Sequence, residues 1–150
     1  MLNRGLIRVG FVLEFMAEFL YFIAILRPGY FTPIFAILIM LIYIESSILM
    51  YLGFNERAHS LSAGSMGAIL LMLGSLLSLI TYFTSTPHII TVVCMGILFL
   101  GDISISSFFW RVAQRDILVK IGAVLNAIPV ITFTGSLLLA VNIDQIKDLG

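Results

Sequence analysis

Glu14 and Glu18 interrupt the apolar run VLEFMAEFL at 12–20, and a four-residue spacing returns both side chains to one face of a helix. Glu45 lies in IYIESSILM and Asp102 in FLGDISISS, each again among hydrophobic residues and serines. An ionised carboxylate in such surroundings cannot stay alone. It pairs, binds a cation or takes up a proton. Bases are scarce: no lysine or arginine occurs within 9–26, 34–54 or 88–110, and Arg8 is the nearest, about two turns from Glu14. Two chemistries remain open at this point. The acids can serve as hydrogen-bonding groups between helices, or as a proton or monovalent-cation site built from hard oxygen ligands.

Other polar groups extend the set. Ser106 follows Asp102 at i+4 and shares its helical face, while Asn126 lies in the last apolar run. Pro129, having no N–H, cannot donate to the carbonyl of Leu125, and that oxygen is expected to be free.

The segments carrying these groups are too greasy for a water-soluble domain. The chain is 61% hydrophobic and only 11% charged, with a mean hydropathy of +1.15. Soluble domains carry about a quarter charged residues, so this surface is expected to face lipid. Apolar runs at 6–26, 34–53, 65–83, 89–110 and 121–141 are each near the roughly 20 residues that cross a bilayer. RPGYFTP, FNERAHSLSAG, TSTPH and RVAQRDILVK separate them. Backbone polar groups in lipid must be satisfied within the segment, which makes these runs helices. The expectation is an all-α, single-domain, multi-pass protein of the cytoplasmic membrane, a compact bundle of five transmembrane helices over 1–150.

Charge placement orients that bundle. With five spans, Arg4, Arg8, Arg57, Arg111, Arg115 and Lys120 share one side, against Arg27 and Lys147 on the other. Positive loops stay cytoplasmic, so the amino terminus is expected inside and the carboxyl terminus outside. Glu14, Glu45 and Asp102 then each lie eight residues from the inner end of a span, about 12 Å deep, with Glu18 one turn deeper. Three helices would therefore place acids in one inner-leaflet layer.

Two weaker patterns accompany this one. ESSILMYLG at 45–53 resembles ISSFFWRVA at 105–113, and LGSLL at 73–77 recurs as TGSLL at 134–138, which suggests a duplicated hairpin of spans 2–3 and 4–5. Gly67, Gly74 and Ser78 form a small-residue stripe suited to close helix packing.

Several function classes find no support. Net charge is zero with no long basic cluster, so nucleic acid is not an expected partner. Cys94 is the only cysteine, and His59 and His88 fall on opposite sides of the five-span arrangement, so neither a metal site nor a haem is expected. No nucleotide loop or nucleophile elbow occurs, and no cofactor or catalytic residue is assigned. The reading is a non-catalytic subunit of a larger membrane assembly, an energy-transducing one being a candidate. There the acids would hold helices or partner subunits together. A small oligomeric transporter or channel for protons or cations, using the same acids, is the alternative.

Overall fold

The computed structural model describes residues 3–30, 32–54, 62–84, 87–129 and 131–146. Arg57, His59 and Lys147, which entered the charge and histidine arguments, lie outside these residues. Helices α1 (Arg4–Leu26), α2 (Pro33–Phe54), α3 (Ala63–Phe83) and α4 (His88–Val112) are each long and apolar enough to cross a membrane. Their starts are written locally. The Asn3 side chain accepts from Leu6 N at 3.2 Å, Ser62 accepts from Ser65 N at 3.1 Å, and Pro33 occupies a first-turn position where its missing N–H costs nothing. No strand occurs among the described residues.

Consecutive helices pack antiparallel, and small residues set how closely they approach. Ser46 Oγ donates to Gly10 O at 2.8 Å, holding α2 against α1. A side chain at Gly67 would run into the Gly101 carbonyl and Ile105 of α4, and Gly74 faces Leu98, so this half of the expected stripe does lie in a helix contact. Ser78 is half-buried, and its carbonyl accepts from Thr81 Oγ1 within the same helix. At the end that carries the amino terminus, Phe11, Met50, Phe54, Leu71, Ile105 and Phe109 form the core. The Phe11 and Phe109 rings meet edge to face at 5.3 Å. Outward positions remain apolar, from Ile34 and Leu38 on α2 to Ile89, Val92 and Leu100 on α4. That is a surface suited to lipid rather than water.

The fifth expected span is broken. It forms two short helices, α5 (Ile117–Asn126) and α6 (Thr132–Asn142), of ten and eleven residues. Each is about 15 Å long, half of a roughly 30 Å hydrocarbon core. Asp116 caps α5 through Leu118 N and Val119 N. Pro129 then ends the run, because its ring and missing N–H do not fit a helix interior. The chain folds back, so that Gly122 faces Leu138 and Leu139 while Gly135 lies against the backbone of Asn126. Two antiparallel limbs result, inserted half-way between α4 and α1.

Three expectations fall with that span. The carboxyl terminus returns to the end that holds the amino terminus: Arg4 donates to Ile146 O at 2.7 Å, and Arg8 pairs with Asp144 and donates to Ala140 O at 3.2 Å. The termini therefore share one end of the bundle rather than lying on opposite sides. The carbonyl of Leu125 is not left open by Pro129, since it accepts from Ile128 N at 3.2 Å in the tightened turn. The hairpin repeat fails as well, because α4 is followed by a half-depth hairpin where α2 is followed by a full-length helix.

Candidate functional site

Where the tip of this hairpin meets α1 and α4, three of the four acids come together. Oxygens of Glu14, Glu18 and Asp102 all lie within 4.8 Å of one another. Glu14 is completely buried, Glu18 nearly so, and Asp102 is partly exposed. Glu14 and Glu18 face the same way because they are one turn apart on α1, as their spacing implied. The α3–α4 contact at Gly67 and Gly101 lies on one side of α4, and the neighbouring Asp102 faces Glu14 and Glu18 of α1.

The hairpin supplies the remaining walls. Ser136 Oγ on α6 lies 3.1 Å from Glu14 Oε2 and 2.8 Å from Asn126 Oδ1 on α5. Asn126 Nδ2 in turn donates to Ser106 Oγ on α4 at 3.4 Å. Tyr43 of α2 faces Glu18, and the carboxyls of Glu14 and Asp102 lie within reach of a shared hydrogen bond. Of the residues expected at the site, the structure therefore joins Glu14, Glu18, Asp102, Ser106 and Asn126.

Glu45 is apart from them. It is exposed on the outer face of α2. Its height along the bundle is close to that of Glu14, but its direction is wrong. Ser46 and Met50, one turn apart, take the contact with Gly10 of α1, and Glu45 precedes that face by about 100° of helical rotation. Depth was readable from residue counting; angle required knowing which neighbour α2 packs against.

Ser136 and Tyr43 were missed. Ser136 lies in the recurring TGSLL segment, yet nothing in its spacing separates a hairpin-lining serine from the small packing residue that Gly-Ser pairs usually mark. Tyr43 lies two residues from Glu45 and reads as an ordinary aromatic of a span.

Within this cluster the arithmetic of donors is short. Glu14 Oε1, Glu18 Oε2 and Asp102 Oδ1 are buried and meet no hydrogen-bond donor. Three ionised carboxylates at this separation, without a base, would repel strongly in a medium that screens poorly. The cluster has the ligand chemistry to accept something positive, a proton or a cation. Oxygens no more than 4.8 Å apart fit around a centre at about 2.8 Å, close to the roughly 2.3–2.6 Å at which oxygen ligands hold a hard cation. A proton between Glu14 and Asp102 satisfies two of the oxygens equally well.

A lateral groove of about 410 Å³ between α4 and α5 ends at this network. Ser106 and Ser107 line it, and Arg111 and Trp110 stand nearer its outer end. Comparison with family models, with curated proteins and with solved structures finds no match for this chain.

Proposed function

We propose that this chain is a multi-pass protein of the cytoplasmic membrane that binds a proton or a small monovalent cation at Glu14, Glu18 and Asp102 and passes it across the bilayer. One observation carries the reading: three carboxyls from two helices, each with a buried oxygen that lacks a donor, share a space less than 5 Å wide with no base beside them among the described residues. An ionisable residue inside a membrane helix is a functional-site candidate by default, and ion pathways and proton relays are among its recurrent uses.

The broken fifth segment supports this role. Transporters commonly place discontinuous helices where an ion binds, since irregular backbone near the midplane is tolerated only against protein or a cavity. Here the hairpin tip brings Asn126 and Ser136 to the acids. The end of the bundle that carries the amino terminus holds Arg4, Arg8, Arg111, Arg115 and Lys120, with Arg27 at the opposite end, a distribution that supports a cytoplasmic side there. The acids sit inside a single chain, so a partner subunit's arginine would not reach Glu14. This ranks the transport reading above that of a structural subunit.

Liposomes containing the full chain test it. Under an imposed potassium diffusion potential, an internal pH dye reports proton entry and labelled sodium reports cation entry. The expected result is flux of one of the two, reduced at least tenfold by Glu14→Gln and by Asp102→Asn, both of which keep the side-chain shape. Flux of neither ion, or flux indifferent to both substitutions, overturns the proposal.

A further inference from the structure

The acid left out of the cluster has an unanswered requirement. Glu45 projects from α2 nine residues, about 13 Å, before the helix end at Phe54. Its side chain is too short to carry the carboxyl back to water from that depth, as a lysine or arginine would. Around it, the outermost residues of α2 are Leu38, Leu41, Ile48 and Leu52. Together with Glu45 they follow a 3-4-3-4 spacing, the seam along which two helices pack when each inserts side chains into the other.

From this we infer that a second copy of the chain packs on this face, α2 against α2, with the two Glu45 side chains hydrogen-bonded to each other across a two-fold axis. Copies inserted with the same orientation carry every residue at the same depth, so Glu45 meets its counterpart without any adjustment of register. A carboxylic acid is also self-complementary, since it donates through its O–H and accepts through its carbonyl oxygen. Two such groups facing each other satisfy one another with no base, and the α2 stripe contains none. Self-complementarity is what a two-fold interface demands. A lone polar residue in an apolar seam fixes register and partner number, while the flanking leucines supply contact.

The full chain, with the buried Cys94 replaced by alanine, is given single cysteines at Leu38, Leu41 and Ile48 on this face, which leave Glu45 in place, and at Val92 and Leu100 on the outer face of α4. Oxidative cross-linking in native membranes is expected to give dimer at 38, 41 and 48 in at least tenfold higher yield than at 92 and 100. A second measurement leaves Glu45's neighbours intact: the dimer dissociation constant, read by energy transfer between labelled copies in vesicles. Glu45→Ala is expected to raise it at least tenfold, and Glu45→Gln, whose amide also donates and accepts, to restore most of the association. Equal cross-linking on both faces overturns the assignment. So does a dimer indifferent to Glu45→Ala, or a chain monomeric by native mass whose α2 face is covered by a different polypeptide.

Discussion

Ser136 Oγ and Glu14 Oε2 lie 3.1 Å apart, although 122 residues separate them in the chain. The hydroxyl has one hydrogen to give and lies closer still, at 2.8 Å, to Asn126 Oδ1. If it donates to Asn126, Glu14 must supply the hydrogen of its own contact, which requires a proton on the carboxyl. Ser136 thus connects the state of Glu14 to the hairpin tip, and through Asn126 to Ser106.

Removing this hydroxyl leaves buried groups on α1 and α5 short of a partner. Ser136→Ala is expected to destabilise the chain by about 1–3 kcal/mol. Ser75→Ala is the control: its hydroxyl is equally buried but bonds only back to Leu71 O in its own helix, so its loss is expected to cost under about 1 kcal/mol. Thermal unfolding of the two variants in the same detergent checks the difference.

The hairpin's closeness depends on Gly135. A Cβ there would collide with Asn126 N and stand 2.5 Å from Asn126 Cα and 2.6 Å from Gly122 O, all backbone atoms that cannot rotate away. Gly135→Ala is expected to force the limbs apart, costing at least about 1–3 kcal/mol and reducing flux with it. Gly96 on α4 has nothing within 4 Å of such an atom. Gly96→Ala is expected to be neutral or to stabilise by up to about 1 kcal/mol, the helix-propensity difference.

Relieving repulsion in the acid cluster should separate stability from activity. Glu18→Gln keeps volume and hydrogen-bonding capacity but removes one of the three groups able to carry negative charge there. The expected outcome is a variant at least as stable as the parent in thermal unfolding, with flux lost. A marked loss of stability would mean that Glu18 is a packing group.

Labelling from either side of sealed vesicles checks the half-depth hairpin. In a Cys94→Ala background, Asn3→Cys and Gln145→Cys are expected to react from the same side, and Gly29→Cys from the other. A continuous fifth span would put Gln145→Cys on the side of Gly29→Cys.

The ion pair that joins the termini is expected to matter little by itself. Arg8 and Asp144 are 41% and 62% exposed, so screening leaves their coupling at under about 1 kcal/mol in a double-mutant cycle with Arg8→Gln and Asp144→Asn. The packing of α6 on α1 holds the hairpin in place from its tip, where Phe133 meets Phe15, Phe19 and Phe22.

Much of the architecture could be read from residue order, and the physics explains which part. Hydropathy is a property of local composition, so four long apolar helices and their boundaries followed directly from it. Depth is equally local, since counting 1.5 Å per residue from a helix end placed Glu14, Glu45 and Asp102 near one height. The spacings of Glu14 with Glu18 and of Asp102 with Ser106 gave shared faces for the same reason.

Direction was not local. Whether a carboxyl at the right height points inward depends on which residues a neighbouring helix claims. Ser46 and Met50 claimed the inner face of α2, and Glu45 was turned out. The path of the last apolar run was likewise undecidable from its composition: 121–141 is long enough to cross, and a proline inside a membrane helix often only kinks it. Gly122 and Gly135 allow two short limbs to touch along their backbones, and the basic residues near the amino terminus offer the returning chain its partners. A choice between a kinked span and a folded-back hairpin rests on contacts between residues more than a hundred positions apart. Sequence periodicity carries no record of them, and only the packed chain made that choice.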